Sequence, residues 1–194
     1  MSIDWTKTTR DLHALTEEML EKVMKVLDLT NNHGLDVLGI DSYRDPWTQA
    51  RLYRKSRSRQ EIEEKIDHLQ SDGFPRLAAI IAFVGPQDGE YGKHVTNAAP
   101  GESWHQFGEA WDACPMFDSK RLLWEIKSGS PEFTRANIIW GTFGQCVREA
   151  GLIWAGDWTS FKEKPHCQLR TGQNPLDTFN PDEVERWAKD HCWW

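Results

Sequence analysis

SWHQFGEAWDACPMF, Ser103 to Phe117, sets a histidine and an aspartate seven positions apart, His105 and Asp112, and runs on as strand-like sequence from Gly108. A strand turns successive side chains to opposite faces. Gly108 and Ala110 therefore share the face of Asp112, where their small size is expected to leave room above the aspartate. A second short strand reads from KPHCQL, Lys164–Leu169, with His166 on one face and Cys167 turned into the core.

Around these two strands the chain alternates helical and extended stretches without a regular repeat. A first helix is expected from about Thr16 to Leu29, with Leu20, Val23, Met24 and Leu27 as its apolar face. NNHG stops it, and LDVLGID (Leu35–Asp41) reads as a strand. Asp45 and Pro46 have the form of an N-cap and first helical residue. Ser58 and Glu61 form a capping box for a helix to Leu69, and a further helical stretch reaches about Val84. The long connection GPQDGEYGKHVTNAAPGES follows, of a length that is often functional. A helix from Thr134 to Ala150 is expected to bury Ile138, Ile139, Phe143 and Val147 before Gly151 closes it. Asn180 and Pro181 open a last helix to about Asp190. The mixed order reads as an α+β fold, and 194 residues as one domain, 1–194.

Bulk composition narrows the function classes. The hydrophobic share of 39% and charged share of 27% describe an ordinary globular chain. A net charge of −7 leaves no surplus of cations for phosphates, so no nucleic-acid partner is expected. The longest apolar run, LAAIIAFVG, is far below the roughly 20 residues of a membrane helix, and no membrane insertion is expected. The first residues lack a signal-peptide layout, which implies synthesis in the cytoplasm without a leader. Cys114, Cys146, Cys167 and Cys192 are scattered, with no pattern of a disulfide framework. Of the eleven tryptophans, Trp5 to Trp194, most are expected in or near the core and a few along a groove.

Two imidazoles and a carboxylate suit Zn²⁺, and a catalytic zinc keeps three protein ligands and one position open for water. His105, Asp112 and His166 make such a set, two ligands close together and the third 54 residues on. Glu163, three positions before His166, is the candidate general base toward that water, whose pKa falls to about 7 on zinc. His13, His33, His68 and His191 read as ordinary surface or core histidines, and His94 as surface.

These residues resemble a known family. SWHQFGEAWD fits the pattern SxHxxGxAxD, and EKPH fits the acidic-x-x-His that follows it in the zinc peptidases of peptidoglycan. That group comprises D-alanyl-D-alanine carboxypeptidases and L-alanyl-D-glutamate endopeptidases, phage endolysins among them. SYRDPWTQARLY is similar to the family's Tyr-Arg turn, VTNAAPGES to its lead-in, and GLIWAGDWTSFKEKPHCQ to its Trp-rich approach to the last ligand. The resemblance runs in order from about Asp41 to Gln168. It implies a small antiparallel sheet flanked by helices, of the Hedgehog and DD-peptidase type. It also implies one Zn²⁺ per chain held by His105, Asp112 and His166, Glu163 as catalytic acid and base, and Arg44 at the oxyanion. Ser103, Gln49, Asp157 and Trp158 fall at motif positions near the substrate or behind the ligands. The segment of about 58–92 exceeds the family minimum and is expected to be a lid or a substrate wall.

The resemblance further implies a stem peptide of peptidoglycan as partner, L-Ala–D-Glu as the bond cut, a monomer, and a phage-type endolysin acting on the cell wall after release. Ala155, Cys167 and Glu163 depart from the endopeptidase branch, and Glu163 is usual in carboxypeptidase and dipeptidase relatives. A D-Ala-D-Ala carboxypeptidase or dipeptidase is therefore the alternative. From other classes come a non-catalytic zinc-containing binding module and a cysteine peptidase using Cys114 with His166.

Overall fold

The computed structural model describes residues 9–84, 92–118, 120–124, 128–172 and 174–191. Residues 85–91 of the long connection, Cys192, and Trp5, Trp193 and Trp194 lie outside them. The chain divides into two compact units. One comprises residues 9–43 and 107–171, the other 1–8, 44–106 and 172–194.

The first unit holds a mixed-length antiparallel sheet. Its strands are β1 (Val37–Asp41), β2 (Ala110–Phe117), β3 (Arg121–Leu122), β4 (Ile153–Trp154) and β5 (His166–Gln168). The order is β1-β2-β5-β4, with β3 pairing on β2. Two helices, α1 (Glu17–Asn32) and α5 (Phe133–Glu149), belong to the same unit. Its core gathers Met19, Val23 and Val26 from α1, Trp111 and Ala113 from β2, Trp140, Phe143 and Val147 from α5, and Cys167 from β5. Alternation along β2 and β5 thus turns Asp112 and His166 away from the core that their neighbours enter.

The second unit contains α2 (Pro46–Tyr53), α3 (Arg59–Ser71), α4 (Pro75–Val84) and α6 (Pro181–His191). The expected caps are in place. Asp45 accepts from the amides of Trp47 and Thr48, and Ser58 with Glu61 closes both halves of its box. The 58–92 segment builds α3 and α4, whose Ile62, Leu69, Leu77, Ile80 and Ile81 lie in this unit's core.

Two helix faces differ from expectation. Ile138 is 64% exposed and Met24 47%. On α5, Ala136 and Trp140 are buried instead, beside Phe143 and Val147. Trp140 can be buried because its indole N–H reaches the Leu123 carbonyl. On α1 the stripe is rotated onto Met19, Val23 and Val26, as a 3.6-residue period allows when several apolar residues compete for one face.

Gly108 also has another role than making room. Its φ is +68°, and a Cβ there would stand 2.8 Å from the Ala14 carbonyl oxygen. The glycine lets its own carbonyl accept from Thr16, tying the start of α1 to the approach to β2.

Gly144 of α5 faces the Trp154 ring, where an added Cβ would come within 2.3 Å of a ring carbon. Gly144→Ala should therefore destabilise the fold despite the better helix propensity of alanine. Overpacking of this kind costs about 1–3 kcal/mol, and thermal or urea unfolding of the variant measures it.

Candidate metal centre and cleft

Register brings two of the three ligands together. Pairing of β2 with β5 sets Asp112 directly opposite His166, and directly opposed residues hold their Cβ atoms roughly 5 Å apart. His166 Nδ1 lies 2.9 Å from Asp112 Oδ1. His105 is carried by the helical turn Trp104–Phe107, which leads directly into β2. One ligand atom from each of His105, Asp112 and His166 lies within 4.8 Å of the others. His105 and His166 are buried and Asp112 half-buried. Two neutral imidazoles and one carboxylate, converging and withdrawn from solvent, are a donor set that fits zinc.

The acidic-x-x-His spacing acquires its reason here. Glu163 accepts from the His166 amide through its backbone carbonyl, at 3.0 Å, closing a four-residue turn that ends in the ligand. The turn is held from both sides. Glu163 N–H donates to the Ala155 carbonyl, and the Trp154 indole N–H donates to the Lys164 carbonyl at 2.7 Å. Glu163 is half-buried and lines, with Asp112 and His166, a cleft of about 600 Å³. Trp124, Phe133, Ala136 and Trp140 form its apolar wall, and Lys162 and Lys164 line it too. Lys164 Nζ donates to Asn137 on α5.

Arg44 belongs to the other unit, where its backbone N–H donates to the His105 carbonyl. Its guanidinium donates to Gln49 Oε1 at 3.1 Å. Gln49 is fully buried and donates in turn to the Ala98 carbonyl. Ser103 is buried, two residues before His105. Trp158 sits 5.7 Å from the His166 ring, centroid to centroid. Asp157 is turned to Arg148 instead, at 2.8 Å.

The cysteine alternative fails on packing. Cys114 is wholly buried in the core, and burial pushes its thiol up to about 11, so no thiolate is available near neutral pH. Sequence reasoning missed the cleft wall because Phe133, Asn137 and Trp140 follow helical spacing and read as any amphipathic face. It also missed Gln168, although two positions beyond His166 on a strand is the same face.

The profile of the family described as D-alanyl-D-alanine carboxypeptidase matches residues 96–169, the stretch that holds all three ligands and Glu163. The match takes in the whole metal centre and leaves the rest of the chain outside it. The chain is a metallopeptidase with a His-Asp-His metal site. The peptidase is 21% identical over 159 residues to the peptidoglycan L-alanyl-D-glutamate endopeptidase CwlK of Bacillus subtilis, covering 82% of this chain and 74% of that one. Among solved structures it is similar to the L-Ala D-Glu endopeptidase ChiX of Serratia marcescens, at 16% identity and a TM-score of 0.40, covering 82% and 83% of the two chains. It is also similar to the vancomycin-resistance D,D-pentapeptidase VanY, solved in complex with Zn(II), at 14% identity and a TM-score of 0.43, covering 89% and 78%. No helix among the peptidase's described residues is long and apolar enough to cross a membrane.

Burial alone would lower the basicity of His166, but the hydrogen bond and charge of Asp112, with the charge of Glu163, raise its pKa above the ordinary histidine value. In the metal-free peptidase the imidazole is thus protonated below that raised pKa. A metal must displace this proton, so zinc affinity should fall as pH falls through the raised value, by up to about tenfold per pH unit below it. Chelator competition at a series of pH values reads the slope.

Proposed function

We propose that the peptidase hydrolyses the L-Ala–D-Glu bond of the peptidoglycan stem peptide, with one zinc per chain, as a phage-type endolysin acting on the wall after release. The observation that carries this reading is the cleft at Glu163 and His166, whose lining joins Lys162 and Lys164 to the aromatic residues Trp124, Phe133 and Trp140. A D-Glu residue on the leaving side brings a free carboxylate for an ammonium group of the cleft. A small L-Ala on the other side needs little room. The name of the curated relative from Bacillus subtilis points the same way.

His105, Asp112 and His166 would hold the zinc, which would supply Lewis acidity at the carbonyl and the attacking water. The remaining work falls to the chain. Glu163 takes the proton of the attacking water and delivers it to the departing amide nitrogen, so that the products are a carboxylate and an amine. Arg44, braced by Gln49, directs its guanidinium donors at the carbonyl oxygen as negative charge develops there. Trp158 restricts the His166 ring by contact.

Digestion of purified peptidoglycan followed by mass spectrometry tests the bond. A new D-Glu amino terminus and L-Ala carboxyl terminus are expected. Release of free D-Ala would establish the carboxypeptidase reading, which Glu163 favours, and overturn this one. The cleft charge has its own test. Lys162→Glu combined with Lys164→Glu should raise KM about tenfold with little change in kcat, and the effect should shrink at high salt because exposed charges are screened.

A further inference from the structure

We propose that Gln168 is a positioning residue that decides which imidazole nitrogen of His166 is offered to the metal; the inference rests on the metallopeptidase reading of the site. Gln168 is 2% exposed and lies mid-sheet, opposite Ala110 on β2 and Ile153 on β4. Being two residues from His166 on β5, it shares that residue's face.

The orientation of its amide follows from what its neighbours can do. Gln168 Nε2 lies 2.6 Å from the Arg170 carbonyl oxygen. A carbonyl only accepts, so the NH₂ end must face it. The Oε1 end therefore faces the imidazole, 3.1 Å from His166 Nε2. Oε1 also only accepts, so Nε2 must carry the proton. That leaves Nδ1 as the ligating nitrogen, on the side where Asp112 Oδ1 stands 2.9 Å away.

The anchor of this relay is itself braced. Arg170 meets Glu109 with two hydrogen bonds, at 2.8 and 3.0 Å, and the Leu169 amide donates to the Glu109 carbonyl. The chain beyond β5 is thereby held, and with it the carbonyl that turns the amide. Without the acceptor of Gln168, His166 would divide between two tautomers and the ring would lose its hold. Losing a partner behind a metal-bound histidine typically weakens the metal about 10–100-fold.

The experiment is zinc affinity by chelator competition for the wild-type chain, Gln168→Leu and Gln168→Glu. Long-range ¹⁵N–¹H NMR of the histidines in the zinc-loaded wild type accompanies it. Gln168→Leu should bind zinc about 10–100-fold more weakly, and Gln168→Glu, which keeps the acceptor for Nε2 but loses the donor to the Arg170 carbonyl, should fall between it and the wild type. The spectra should show His166 protonated at Nε2 and metallated at Nδ1. Wild-type affinity in a folded Gln168→Leu, or metallation at Nε2, overturns the proposal. If neither variant folds, the wild-type spectrum decides alone. A wild-type chain that binds no zinc would instead bring down the metallopeptidase reading.

Discussion

Glu163→Gln should lose turnover by about 10²–10⁴-fold, the usual cost of removing a general base, while keeping its zinc and its melting temperature. The amide keeps the size and position of the side chain but cannot accept a proton from water. The backbone hydrogen bonds of the turn do not depend on the carboxylate. Its hydrogen bonds to Ala155 and His166 are made by the Glu163 backbone, and these survive the substitution. His166→Ala is the contrasting variant, expected to lose the metal along with activity. Elemental analysis and stem-peptide hydrolysis, measured on both, separate base from ligand. Near wild-type turnover in Glu163→Gln would assign the base to another residue.

Arg44→Lys should slow the enzyme by about 10²–10³-fold, the cost of losing one oxyanion donor, roughly 3 kcal/mol. The loss should fall mainly on kcat, because a donor that meets the oxyanion only as it forms contributes to the transition state and not to substrate binding. Charge is retained, so the effect isolates geometry. A guanidinium, one N–H of which meets Gln49, is a planar fork of donors that an ammonium cannot reproduce. A purely structural Arg44 gives the opposite pattern. Its variant would melt earlier, and the surviving folded enzyme would turn over normally.

Much of the scaffold is legible in local sequence, because caps and turns are decided by residues a few positions apart. Asp45 with Pro46 and Ser58 with Glu61 start α2 and α3 where their side chains can satisfy the first amides. Alternation along the two site strands likewise separates Cys167 from His166, and Cys167 is in the core. Faces of helices are less legible. Ile138 and Trp140 compete for burial on α5, and only the neighbouring Leu123 carbonyl, which takes the indole N–H, settles it for Trp140.

The chemistry divides the same way. The residue types of the metal centre can be read from the chain itself, since two histidines and a carboxylate are a recurrent donor set of catalytic zinc. The register of β2 against β5, which sets Asp112 opposite His166, is a long-range pairing that no local signal encodes. The cleft is likewise assembled from residues more than twenty positions apart, from Asp112 to Trp140 and Lys164. So is the amide relay behind His166, whose anchor depends on Glu109 meeting Arg170 across the sheet. Sequence by itself determined which atoms are available for the reaction. Tertiary structure alone decided which nitrogen, which wall and which charge they face, because those choices depend on strand pairing and packing between distant parts of the chain.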